Sequence, residues 1–170
     1  MGAGDMMILP DDVNIRNNLK PGDMGYVIYL HGVLYAQEYG WDHTLEAYVA
    51  GPLSRFAQSH TAREQIWIVE KAEKVAGSIA IVEASPKEAQ LRWLLLHPML
   101  RGHGLGKMLL RSAINFSRQH GYSAIFLWTV SSLPAAAHLY KTAGFELTQE
   151  NQRAAIWGTL VIEQRYELRL

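Results

Sequence analysis

Leu94-Leu95-Leu96-His97-Pro98-Met99-Leu100-Arg101-Gly102-His103-Gly104-Leu105-Gly106-Lys107 is the stretch on which the reading of this chain turns. An apolar run halts at a proline, glycines follow at alternate positions, and an amphipathic pattern begins at Leu105. Without a Cβ, backbone at glycine can approach a ligand closely and turn its N–H groups toward one point. A helix starting at Leu105 adds first-turn N–H groups that lack helical partners, together with the positive end of its dipole. The combination is an anion site suited to a diphosphate, ringed by Arg101, His103, Lys107 and Arg111. Alone, the stretch reads as readily as a glycine-rich turn between strand and helix.

Two phosphate motifs fail on it. A dinucleotide fingerprint counted from Gly102 requires its last glycine where Lys107 stands. A Walker A loop requires glycine at Arg101 and Ser or Thr at Met108.

Working outward, the pattern before the loop is β and the pattern after it alternates. Gln65–Lys71, Val75–Glu83 and Glu88–His97 read as three strands of an antiparallel meander, with Ala72-Glu73-Lys74 as a hairpin turn. Leu105–His120 carries Leu105, Met108, Leu109, Ala113 and Phe116 on one stripe, and Gly121 is placed to end it. Ala124–Thr129 reads as a buried strand, Pro134–Ala143 as a helix, and Phe145–Glu150 and Leu160–Leu170 as strands. That β-α-β-α-β order implies crossover pairing, so the sheet is mixed. Upstream, Val13–Asn17 reads as a strand. Asp23–Tyr39 reads as a kinked helix or two short ones, because Gly25 and Gly32 interrupt it. Asp42 reads as the N-cap of a helix running to about Gln58.

Composition bounds the function. The chain has 170 residues, the length of one domain (1–170), long enough to bury roughly 70% of its unfolded surface. Sixteen Lys and Arg balance sixteen Asp and Glu, which argues against nucleic-acid binding. There is no cysteine, so disulfides, thiolate metal sites and a cysteine nucleophile are excluded, and a reducing, cytoplasmic address is expected. No His pair stands at metal-binding spacing, and no metal is expected. Met1–Leu9 has no signal-peptide pattern, Met6 stands where a myristoylation signal needs Ser or Thr, and no apolar run approaches the ~20 residues that span a bilayer.

A second motif gives the loop its meaning. Leu139-Tyr140-Lys141-Thr142-Ala143-Gly144-Phe145 follows Arg101-x-x-Gly104-x-Gly106 with a helix, a strand and a helix in order between them. The pair resembles the acetyl-CoA loop and the closing L-Y-x-x-x-G-F run of the Gcn5-related N-acetyltransferase (GNAT) superfamily, over about Val75–Glu150. The resemblance implies an α/β fold with a mixed, mostly antiparallel sheet of six to seven strands, about four helices and a splayed parallel strand pair. It implies acetyl-CoA as acetyl donor, held by Leu94, Leu95, Leu96 and the Arg101, Gly102, His103, Gly104, Leu105, Gly106, Lys107 loop. It implies Tyr140 as general acid toward the leaving thiolate, and direct transfer to a primary amine, a small molecule. The alternative is a non-catalytic acyl-CoA-binding module, motivated by Leu133, Gln90 and Trp128, which stand where many members carry a cofactor-binding Asn or a catalytic Glu.

Glu83 is the candidate base in their place. Arg92, on the strand face of Gln90 and Leu94, is a candidate substrate contact or the partner of an acid. Tyr35, Tyr39, Trp41 and Trp157 are candidates to line the amine pocket, through stacking and cation–π contacts. His31 and His43 read as structural. A narrower resemblance, through Pro21–Gly25, His31–Tyr35, Glu38–Trp41, Trp157-Gly158 and Glu163–Arg165, is to acetyltransferase domains that follow a MarR-type DNA-binding domain in some bacterial proteins. Strand edges at the C-terminus make a homodimer an expectation.

Overall fold

The computed structural model describes residues 9–170. The readings of a missing signal peptide and myristoylation signal at Met1–Leu9 therefore lie, but for Leu9, outside the described residues. Nine strands and four helices follow in the order β1 (Val13–Arg16), α1 (Asp23–Tyr39), α2 (Thr44–Ser59), β2 (Gln65–Lys71), β3 (Lys74–Glu83), β4 (Glu88–Leu96), α3 (Leu105–Gln119), β5 (Ala124–Val130), α4 (Pro134–Thr142), β6 (Glu146–Glu150), β7 (Ala154–Ile156), β8 (Thr159–Val161) and β9 (Glu163–Arg169) among these residues.

Seven of the strands form one sheet in the order β1-β2-β3-β4-β5-β9-β6. Pairing is antiparallel from β1 to β4, parallel between β4 and β5, and antiparallel again through β9 and β6. The expected mixed α/β architecture is thus present. The β2–β3 hairpin turns on Ala72 and Glu73, both at positive φ, the turn whose twist matches its strands.

Each face of the sheet carries its own core. Leu105, Leu109, Leu110 and Ala113 of α3, with Tyr140 of α4, bury against Ile79, Ile81, Leu91 and Ile125. Val27, Leu45, Val49, Leu53 and Phe56 of α1 and α2 cover Ile66, Ile68, Ala80 and Trp93 on the other face. Each fully buried Leu or Ile contributes roughly 1.5–3 kcal/mol by its removal from water. A buried ion network ties α1 to the sheet: Arg16 holds Asp23 through two 2.7 Å hydrogen bonds and Glu70 through one of 2.6 Å.

Asp23–Tyr39 is one helix rather than two short ones. Gly32 is there for contact, since an added Cβ would collide with the Glu46 side chain of α2. Helix α2 begins at Thr44, with His43 rather than Asp42 at the N-cap position. Asp42 still accepts the Thr44 N–H at 2.9 Å and the Thr44 hydroxyl. Of the closing strands, β9 lies between β5 and β6, so β6 forms one edge of the sheet and β1 the other.

Candidate active site

Strands β4 and β5 pair only through Glu88–Ala124, Ala89–Ile125 and Gln90–Phe126, then separate. From Leu91 to Leu96, β4 has no ladder partner on that side. The gap opens a cleft of about 310 Å³. Its walls include Leu94, Leu95, Leu96, Arg101 and Gly106 from the β4–α3 segment, Tyr140 and Leu139 from α4, and Tyr35, Tyr39, Trp41 and Trp157 from elsewhere. Glu38, His31, Tyr48, Gln90, Arg92, Trp128, Leu133 and Glu163 complete the part that concerns chemistry.

A bulge shapes β4. Leu95 pairs with Ser78 and Arg92 with Ala80, which leaves two residues, Trp93 and Leu94, opposite Ile79. Trp93 takes φ 51°, strained for a bulky side chain, and its carbonyl accepts the Ser78 hydroxyl at 2.6 Å. The bulge inverts side-chain alternation. Leu94 and Leu96 pack with the α3-side core and Leu95 with α1, so Arg92 does not share a face with Leu94 as simple alternation predicts. Gly77 makes the close approach of β3 to this stretch: an added Cβ would lie 2.7 Å from the Leu95 carbonyl oxygen.

The glycine loop has the form its composition requires. Gly102 and Gly104 sit at φ 81° and 76°, and α3 opens immediately after. The first helical bond runs from the Met108 N–H to the Gly104 carbonyl at 3.0 Å, so the N–H groups of Leu105, Gly106 and Lys107 precede any helical acceptor. Gly102, His103, Gly104 and Lys107 are exposed; Leu105 is buried and anchors the helix. Lys107 turns with Arg111 and Arg118 to a second groove, between α3 and α4. Arg101 is already engaged: its guanidinium grips Glu38 of α1 at 2.9 and 2.8 Å, and its Nε donates to the Leu96 carbonyl at 3.0 Å.

Tyr140 is 6% exposed, packed near Phe145 and Tyr166, and its hydroxyl has no hydrogen-bond partner among the described residues. Burial, and then the nearby Tyr35, push its phenol well above the ordinary range. Burial likewise pushes Tyr35 up to about 12. Both hydroxyls therefore keep their protons at neutral pH.

The aromatic residues form one connected wall. Tyr35 stacks on Trp41 at 4.9 Å, Tyr39 lies 5.3 Å from Trp41, and Trp157 lies 4.6 Å from Trp41. Tyr48, missed in the sequence, meets Trp157 edge-on at 5.4 Å. Trp157 comes from the β7–β8 turn, which docks through the Asp42 N–H to its carbonyl at 2.9 Å. His31 lines the cleft too, but burial drops it to about 4 and its Nδ1 pairs with the Val27 carbonyl at 2.7 Å, so it is neutral.

Glu83, the candidate base, does not line the cleft, and of the loop candidates only Arg101 and Gly106 do. Glu83 faces Arg63, at 3.5 Å, and its N–H is held by Glu64. Glu163, at the start of β9, does line the cleft, with only Asn151 donating to it at 3.3 Å. Nothing local in the sequence distinguishes this residue; it arrives through the pairing of Val130 with Glu163. Among the described residues no cluster of His, Asp or Glu forms a metal site, and no helix is long and apolar enough to cross a membrane.

The model of the acetyltransferase (GNAT) family matches residues 27–145, most of the chain and every wall of the cleft but the β7–β9 side. The chain belongs to the GNAT family. This GNAT acetyltransferase is 31% identical over 149 residues to an uncharacterised N-acetyltransferase of Schizosaccharomyces pombe, a match covering 84% of the chain and 88% of that protein. It is 33% identical over 100 residues to human N-acetyltransferase 8B, covering 56% of the chain and only 44% of that longer protein. Its fold matches an acetyltransferase from Streptococcus agalactiae with TM-score 0.75 at 20% identity, covering 94% and 99% of the two chains. It also matches the putative acetyltransferase yncA of Salmonella typhimurium, solved with acetyl-CoA, with TM-score 0.71 at 20% identity over 94% and 95%.

Proposed function

We propose that this GNAT acetyltransferase moves the acetyl group of acetyl-CoA directly to a primary amine seated against the aromatic wall. The observation that carries the reading is the unpaired β4 run from Leu91 to Leu96, leading into a glycine-rich helix start with Tyr140 in the same cleft. Backbone groups of Leu94 and Leu95 and the first-turn N–H groups of α3 would hold the donor, whose diphosphate suits that helix end. Acetyl-CoA, when bound, supplies an activated thioester. The Arg101 bond to the Leu96 carbonyl and its pair with Glu38 also tie the loop to α1.

Tyr140, kept protonated by burial, donates its proton to the departing sulfur. Glu163 receives the proton that the amine nitrogen loses as it bonds to the acetyl carbon, a role Glu83 is too far engaged with Arg63 to share. Ser131 and Ser132 are exposed and hydrogen-bond to no His among the described residues, which supports direct transfer over an acyl-enzyme. The segments that resemble acetyltransferase domains of bacterial MarR fusions lie mostly in α1 and beside Trp157, so any kinship with those domains would be in the proposed acceptor pocket. The exposed β6 edge is the surface a homodimer would use. The cysteine-free composition supports a cytoplasmic address.

Calorimetry with CoA and thiol release from acetyl-CoA across a panel of primary amines test this reading. Micromolar CoA binding with amine-dependent thiol release is expected. No CoA binding at millimolar concentration would overturn it.

A further inference from the structure

Arg92 is a cation inside the cleft without a counter-charge. It sits on β4, two residues past the last β4–β5 pair, at the point where the strands part. None of the ion pairs or side-chain hydrogen bonds among the described residues involves it. Burial presses its guanidinium below the usual arginine range, and the cation Arg55 adds to that. The Trp93 ring lies 6.0 Å away, too distant to replace an anion. A half-buried guanidinium left this way costs free energy that a bound anion would return.

The donor's phosphates are not that anion. Arg92 precedes Leu96 by four residues along a strand, roughly 13 Å at about 3.3 Å each, and the glycine loop lies beyond Leu96. Tyr48 is the group in its vicinity, and Gln90, Trp128 and Glu163 line the same cleft. The guanidinium fork matches one planar carboxylate, whereas the Glu163 carboxylate disfavours a dianion such as phosphate.

Resting on the acetyltransferase reading, we infer that the acceptor is an amino-carboxylate: Arg92 binds its carboxylate, Glu163 faces its amine, and the Tyr48–Trp157 wall takes an apolar or aromatic body. Amino acids and their N-terminal or conjugated derivatives are the class this describes. Arg92 is then a specificity residue, not a reacting one.

Matched acceptors test it: phenylalanine, phenylalaninamide and phenethylamine, by thiol release with saturating acetyl-CoA. The expected order places phenylalanine at least about tenfold above both neutral amines in kcat/KM. Arg92→Met is expected to erase that preference by raising the phenylalanine KM, with the acetyl-CoA KM unchanged; Arg92→Lys is expected to restore part of it. A preference for phenethylamine, or an equal loss on all three, would overturn the anchor while leaving acetyl transfer intact. If none turns over, calorimetry of N-acetylphenylalanine against the CoA complex decides. Binding that Arg92→Met weakens tenfold supports the anchor, and no binding rejects it. Failure of CoA itself to bind would instead reject the acetyltransferase reading beneath it.

Discussion

The two halves of the cleft are built differently. The half proposed for the donor is almost contiguous: Leu94–Leu96, the loop and the first turn of α3 follow one another, and Tyr140 is brought from farther on. The half proposed for the acceptor draws on three separate stretches of sequence: α1 with α2, β4, and the β7–β8 turn with the start of β9. Contiguous sites are legible because local backbone chemistry makes them. Sites assembled across the fold carry no local signature, and their residues look like ordinary aromatics and charges until packing joins them.

The largest effect that separates the halves should come from Tyr140→Phe. Its hydroxyl has no partner to lose, so stability should stay within about 0.5 kcal/mol while kcat falls roughly 10²–10³-fold. Thiol release and a thermal melt on the same preparation check this, and a variant keeping most of its turnover would remove Tyr140 from the chemistry.

Glu163→Gln should lower kcat by roughly 10–100-fold with the acetyl-CoA KM unchanged, while Glu83→Gln leaves kcat as it was. The reverse result would return the proton-accepting role to Glu83.

Gly77→Ala should act through structure. Its Cβ would strike backbone rather than a movable side chain, so a cost of about 2 kcal/mol and a Tm lower by roughly 4–8 °C are expected. Gly106→Ala is the contrast. Its Cβ would make ordinary contacts of 3.5 and 3.6 Å with Leu139 and Leu96, so the Tm should hold or rise. A several-fold rise in acetyl-CoA KM with unchanged acceptor KM would show that the donor passes over that backbone.

The smallest effect concerns the anchoring of α1. Asp23 is buried, which alone would raise its carboxyl, but Arg16 and the Lys20 N–H hold it below the usual range; Arg16 holds Glu70 down likewise. Carboxyls depressed in the folded state contribute stability above their ordinary pKa and lose it as pH falls through the depressed values. Melts from pH 6 to 3 should show this loss, and Arg16→Met should flatten that part of the curve.

Particular residues mark how far the sequence reached. The strand–loop–helix around Gly104 and the L-Y-x-x-x-G-F run were legible because glycine freedom, capping and apolar period act within a few residues. Gly32 was misread because propensity counts it as a helix breaker, whereas its function is to admit Glu46 of a neighbouring helix. Trp93 concealed a bulge, since no local rule places a tryptophan at positive φ; the register of β4 against β3 does. Glu163 was passed over because its place depends on β9 pairing with β5.

By itself, then, the sequence determined the alternation of strands and helices and the glycine-rich helix start, which rest on short-range backbone preferences, and it carried the two motifs whose resemblance points to the family. Only the tertiary structure decided that Arg101 pairs with Glu38 of α1, that Glu83 stands away from the cleft, and that Arg92 and Glu163 line it. Those assignments depend on which distant groups come within hydrogen-bonding or Coulombic reach, and long-range packing alone sets that.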